Sequence, residues 1–330
     1  MKKKPEDIVV ISKKIRPKNP ILIAAWPGMG HVAVKAAGFL KEKLQAQLFA
    51  KLNSKDFFHL NEVTVNNSII QLSGLPDGKF YYWENKFGKN DLIIFLSDLQ
   101  PPAEKSVLYA QAIIDFAASL RVKTVFTFAA MLSSIEHTQI PKAWFAVTHQ
   151  RLIGEFQGID IRPLESGQVS GLNGLFLGLS KKSKIEGACL LGEIPFYAVQ
   201  IENPRSAWAV LNALTKFLDI RLDLNELTLA GRVMEEEISK LIDHVKDPLF
   251  HDEQERPITS EDVDKMRHML ATHSQIPNSA KRQIEDLFQL AEKDPSCAIE
   301  LKKKLDEWNA YKDYEDRFLG LFKKGDERDN

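Results

Sequence analysis

Short apolar runs fix what this chain can fold into. ILIAA (21–25), DLIIFLSD (91–98), TVFTFAA (124–130) and IEGACLLGE (185–193) are apolar through their centres and only five to nine residues long. Runs of this length and character belong to strands covered on both faces. A sheet of such strands needs a helical layer on each side. The segments between them supply it: 31–43, 103–120, 171–184 and 204–218 carry apolar residues at helical spacing, the last with Pro204 at its start as preferred. The pattern predicts a three-layer α/β/α fold with a mixed, mainly parallel sheet. AQLFAK (46–51), AWFAVT (143–148) and IDIRPL (159–164) read as further strands. EVTVNNSIIQL (62–72) and KFYYWENK (79–86) read as the two arms of one β-hairpin joined by SGLPDG, in which Pro presets φ and Gly supplies positive φ.

Beyond residue 222 strand signals vanish and charged residues dominate. Residues 223–246 read as one long amphipathic helix, with Leu227, Met234, Ile238 and Leu241 on one stripe. Further helices are expected over 261–272, capped by Thr259 or Ser260, over 278–293 and over 297–323. The expected organisation is an α/β/α core over 1–222 and an all-α region over 223–330.

The formal net charge of −1 provides no overall field for nucleic acid, and no apolar run approaches the ~20 residues that cross a bilayer. The start, MKKKPEDIVV, lacks the apolar centre of a secretion signal. Of the two cysteines, Cys189 lies in an apolar run and Cys297 in a charged helical stretch, which is no disulfide framework. These features read as a cytoplasmic protein that binds neither nucleic acid nor membrane.

Ligands in α/β sheets sit beyond the carboxyl ends of the strands, and several chemistry-bearing segments follow strands here. Pro27-Gly28-Met29-Gly30-His31 turns from the first apolar run into a helix. Gly28, Gly30 and Ala33 match GxGxxA, a relaxed dinucleotide fingerprint. The acid that would hold a ribose is missing: Lys51-Leu52-Asn53 stands where it should be, and Asp56 is late. The phosphate-loop pattern GxxxxGK[ST] is absent, so no nucleotide cofactor is expected. His31, directly after the turn, could contact a ligand or serve as a general acid or base, the work to which imidazole is suited, and His137 follows a buried strand at what would be the same edge. Gly171, Asn173 and Gly174 mark a loop-to-helix transition. Glu193 ends a predicted strand at the same edge, where a carboxylate could act as acid or base or accept N–H bonds from the glycine loop. No GxSxG, HExxH or CxxC pattern occurs, and the histidines have no metal-site spacing. The residues name no reaction.

Taken in order, Pro27-Gly28-Met29-Gly30, EHTQ (136–139), GLNGLFLGL (171–179), LLGEIPFY (190–197), Asn203-Pro204 and AWAVLNALTKFLDIRLDLNEL (207–227) resemble the proteasome assembly chaperone 2 family over about 20–245. The resemblance implies an α/β/α fold similar to nucleoside phosphorylases and related hydrolases. It also implies self-association and work through protein partners. It carries over no catalytic set. Some assembly chaperones dock by a C-terminal hydrophobic-Tyr-any tail; this chain reads Glu327-Arg328-Asp329-Asn330, so that route is not implied. Two readings stand beside each other. One is a non-catalytic assembly factor, homo-oligomeric or with an unidentified protein partner. The other is a hydrolase or nucleoside-type transferase holding a small molecule or anion among Gly28–His31, His137, Asn173 and Glu193.

Overall fold

The computed structural model describes residues 8–59, 63–66, 68–72, 74–246, 278–292, 297–307 and 311–323. Its strands are β1 (Val9–Ile11), β2 (Ile21–Ala25), β3 (Gln47–Leu52), β4 (Val63–Asn66), β5 (Ile69–Leu72), β6 (Gly78–Trp83), β7 (Leu92–Ser97), β8 (Thr124–Ser133), β9 (Ala143–Val147), β10 (Arg162–Pro163) and β11 (Glu186–Pro195). Its helices are α1 (Val32–Lys43), α2 (Ala103–Ser119), α3 (Gly171–Lys182), α4 (Pro204–Phe217), α5 (Asn225–Lys246), α6 (Asn278–Ala291), α7 (Ala298–Glu307) and α8 (Tyr311–Lys323). Two compact units are present. The first comprises Met1–Met131, Thr138–Ile194 and Ile201–Met234; the second comprises Leu132–His137, Pro195–Gln200 and Glu235–Asn330.

In the first unit a nine-stranded mixed sheet runs in the order β1-β3-β6-β7-β2-β8-β11-β9-β10. β2 is parallel to β7 and to β8, as the apolar runs require. Antiparallel pairs flank this centre, β6 on β7 and β3 on one side and β11 on β9 on the other. Alternate residues of β2 serve opposite faces. Leu22, Ala24 and Trp26 join one cluster with Tyr109, Ile113 and Phe116 of α2 and Leu172 and Phe176 of α3. Ile21, Ile23 and Ala25 stand outside that cluster, equally buried, on the side of α1 and α4. Each central strand is thus covered twice, which is why its run lacks a polar alternation.

The expected hairpin over 62–86 is corrected. Residues 63–72 fold on themselves as β4 and β5, paired antiparallel from Val63 opposite Leu72 to Asn66 opposite Ile69. β6 belongs instead to the main sheet, between β3 and β7. The polar Asn66-Asn67-Ser68 is itself a turn signal, and Ser68 takes a φ of 64°.

In the second unit, Ile284, Phe288 and Ala291 of α6, Ala298, Leu301 and Leu305 of α7 and Phe318 of α8 form one apolar cluster. The spacings repeat every three or four residues, one stripe per helix. The Arg317 guanidinium lies 4.3 Å from the Phe288 ring centre and donates to both Glu285 carboxylate oxygens at 2.7 and 2.8 Å. The single helix expected over 297–323 is two, α7 and α8. The expected helix over 261–272 lies outside the described residues.

Candidate functional site

The turn after β2 is built from two left-handed residues in succession. Gly28 is extended, Gly30 has φ 60° and His31 φ 51°. The His31 N–H donates to the Gly28 carbonyl at 3.0 Å, and α1 starts at Val32. Glycine is favoured at 30 on two counts: its φ is positive, and a Cβ there would stand 2.9 Å from Asn203 Nδ2 and 3.2 Å from Ile194 Cδ1. The Gly30 carbonyl accepts the Asn203 N–H at 2.9 Å, tying the turn to the start of α4. Asn203 Nδ2 donates to the Ile201 carbonyl at 2.6 Å.

Asn173, 4% exposed, treats the backbone of Trp26 as a strand would. Its Oδ1 accepts the Trp26 N–H and its Nδ2 donates to the Trp26 carbonyl, each at 3.2 Å. Both Trp26 groups lie just past the last residue of β2, where the ladder no longer serves them. Gln100 continues the pattern. Its Nε2 donates to the Pro27 carbonyl at 2.6 Å and its Oε1 accepts the Leu172 N–H, an open donor at the start of α3, at 2.9 Å. Gly171 has φ 73°, and a Cβ there would meet Gln100 Oε1 at 3.2 Å; one at Gly174 would stand 2.0 Å from the Val169 carbonyl oxygen. The amides of Asn173 and Gln100 are therefore engaged with the backbone of this turn, and Gly28 lies in ordinary contact range of Asn173. Pro27 and Met29 are half-buried and His31 is exposed.

Glu193 is brought elsewhere. It is 6% exposed, and its Oε2 accepts the Lys142 N–H at 2.9 Å while its Oε1 accepts the Trp144 indole N–H at 3.0 Å. Its partners lie on and before β9, not on the glycine loop, so the expectation of bonds from that loop is corrected. The Ser206 hydroxyl donates to the Glu193 carbonyl. This carboxylate seats the edge of β9 on β11 and has both oxygens occupied.

His137 belongs to the second unit, within a four-residue chain. The Tyr197 hydroxyl accepts the His137 backbone N–H at 2.8 Å, lies 2.9 Å from Nδ1 and donates to Glu136 Oε2 at 3.1 Å. His137 Nε2 lies 2.9 Å from Ser239 Oγ. Which ring nitrogen of His137 donates follows its tautomer. A base-held serine is one element of nucleophilic catalysis. Ser239 stands inside α5, however, where the neighbouring N–H groups close the helix itself, and its own backbone offers no oxyanion donors. The chain fits a latch that holds three segments together.

Gln100, Tyr197 and Ser239 escaped the sequence reading, since no local pattern marks a side chain whose partner is 60 to 102 residues away. Asp91, 3% exposed, escaped it too: its carboxylate accepts the Lys18 and Asn85 N–H groups and the Tyr82 hydroxyl at 2.7 to 2.9 Å. It precedes β7 and so serves the opposite edge of the sheet; burial and this partner push the Tyr82 phenol above its ordinary range. Among the described residues, no three His, Cys, Asp or Glu side chains gather to hold a metal, and no helix is long and apolar enough to cross a membrane.

Comparison with known proteins follows the same segments. Residues 22–242 match the PAC2 family. The chain is similar to Pyrococcus furiosus PbaB, an archaeal proteasome activator, with 30% identity over 71% of this chain and 97% of that one and a TM-score of 0.62. Pyrococcus furiosus PbaA, an archaeal homologue of proteasome-assembly chaperone, shares the fold at 21% identity, covering 71% of this chain and 96% of its own, with a TM-score of 0.55. An uncharacterized protein of Methanocaldococcus jannaschii is 25% identical over 266 residues, 78% of this chain and 97% of that protein.

Proposed function

This chain belongs to the PAC2 family, and from that premise we propose that it is a non-catalytic, self-associating cytoplasmic factor that acts on a proteasome by protein contact, as an activator or assembly factor. The observation that carries the reading is the engagement of the strand-end amides. Asn173 and Gln100 hold the backbone of Trp26, Pro27 and Leu172. Groups that would orient a small ligand at this edge act as fasteners of the turn. The likeness to PbaB supports the choice of partner.

Mixing the full chain with archaeal proteasome core particle tests the reading. Co-elution in gel filtration and a change in fluorogenic-peptide cleavage are expected. Neither effect at micromolar concentrations removes the proteasome from the proposal. The rival reading, a small-molecule enzyme at the strand ends, is tested by thermal shift with nucleotides, nucleosides and phosphate at millimolar concentration. No shift is expected; a shift abolished by Asn173→Ala would favour the enzyme.

A further inference from the structure

The β4–β5 ribbon has a face that no described element covers. Val63 opposes Leu72 and Val65 opposes Ile70, so these four share one side of the pleat. They are 54%, 75%, 59% and 68% exposed. The intervening register rows pair Thr64 with Gln71 and Asn66 with Ile69, the last 62% exposed. None of the four belongs to the apolar cluster of the sheet, and among the described strands β4 and β5 pair only with each other. A two-stranded ribbon is marginal in water without a covered face.

The chemistry of the face selects its occupant. From Val63 through Pro76 the chain carries no charged residue, although 27% of all residues are charged. The lysines and prolines that protect a solvent-facing ribbon from pairing are absent from β4 and β5. An aliphatic face with no charge has no ionic complement to offer a polar surface; a second copy of the chain presents an apolar face of the same size and shape. We propose that this face docks on the same face of a second copy of the chain, two ribbons stacked at about 10 Å across a two-fold axis. Four such side chains make a patch of the ~300–600 Å² class that is the largest on a typical monomer. Two of them approach the ~1,000 Å² that a specific interface needs.

The inference rests on the self-association part of the proposed function and names its surface. Light scattering coupled to gel filtration is run on the full chain and on Val65→Lys/Ile70→Lys. The wild-type mass is expected at a multiple of 37.4 kDa and the variant at half the wild-type value. The four side chains lie outside the core, so the variant keeps the wild-type circular dichroism and melting temperature. As a second readout, Val65→Cys in a Cys297→Ser background is expected to cross-link between copies under mild oxidation, Cys189 being buried. A variant that keeps the wild-type mass overturns the ribbon interface and leaves self-association standing. A wild type of one-copy mass removes both. A variant that keeps its mass but loses a co-purifying protein identifies a foreign occupant and overturns the second copy.

Discussion

Asn173→Ala tests whether the strand-end amides are fasteners. The substitution leaves the Trp26 N–H and carbonyl without their partner, and Trp26 is fully buried. Each stranded backbone group costs about 1–3 kcal/mol, so the pair costs ~2–5 kcal/mol after the modest gain from freeing the asparagine rotamer. For a domain of this size that is a fall of roughly 5–15 °C in melting temperature. Asn173→Asp separates the two bonds: it can still accept the Trp26 N–H but cannot donate to the carbonyl, and it places a carboxylate against that oxygen. It should be no more stable than the alanine variant. Urea titration followed by circular dichroism and by tryptophan fluorescence measures the loss, Trp26 lying 5.5 and 5.1 Å from the Phe95 and Phe176 ring centres. A loss below about 1 kcal/mol would refute the reasoning. It would mean that water reaches Trp26 when the amide is gone, so that the edge is open and wet and the side chain was free to serve a ligand.

Gly30→Ala should destabilise by about 2 kcal/mol or more, from the positive φ and the approach of Asn203 and Ile194; a thermal melt equal to wild type would contradict the turn geometry. Glu193→Gln keeps the shape but turns an NH₂ toward one of two N–H donors, and should cost about 1–3 kcal/mol in urea titration; unchanged stability would show that the carboxylate is not the anchor of β9. Burial pushes the Cys189 thiol from an ordinary 9.0 to about 12. The folded state therefore keeps a proton that the unfolded state releases, and stability is full below pH 9 and falls toward pH 12, by ~4 kcal/mol from this group alone. Cys189→Ala should flatten that alkaline slope while the part due to Tyr109, raised to about 12 by burial, remains; an unaltered slope would assign the effect elsewhere.

The central strands were legible because their burial on two faces leaves a local mark, an apolar run with no alternation. The ribbon was misread because 62–72 looks like one continuous arm unless Asn66-Asn67-Ser68 is weighed as a turn, and β6 joins the sheet through pairing that no local pattern encodes. The glycine turn stands between β2 and α1, with Asn173 bonded to Trp26 and close to Gly28, whereas Gly174 packs against Val169. Their roles were not readable. An asparagine that completes a strand end and one that binds a phosphate look alike in sequence; only the partner distinguishes them. Glu193 shows the same limit, since its donors on Lys142 and Trp144 come from a neighbouring strand. Gln100 has no motif at all.

The turn at Trp26–Gly30 joins what the sheet keeps apart. Asn173 and Gln100 reach it from the α2–α3 layer, and Asn203 reaches it from the α1–α4 layer. Directional hydrogen bonds at Trp26, Pro27 and Gly30 thus fix the start of α3 and the start of α4 to the same short turn at the end of β2.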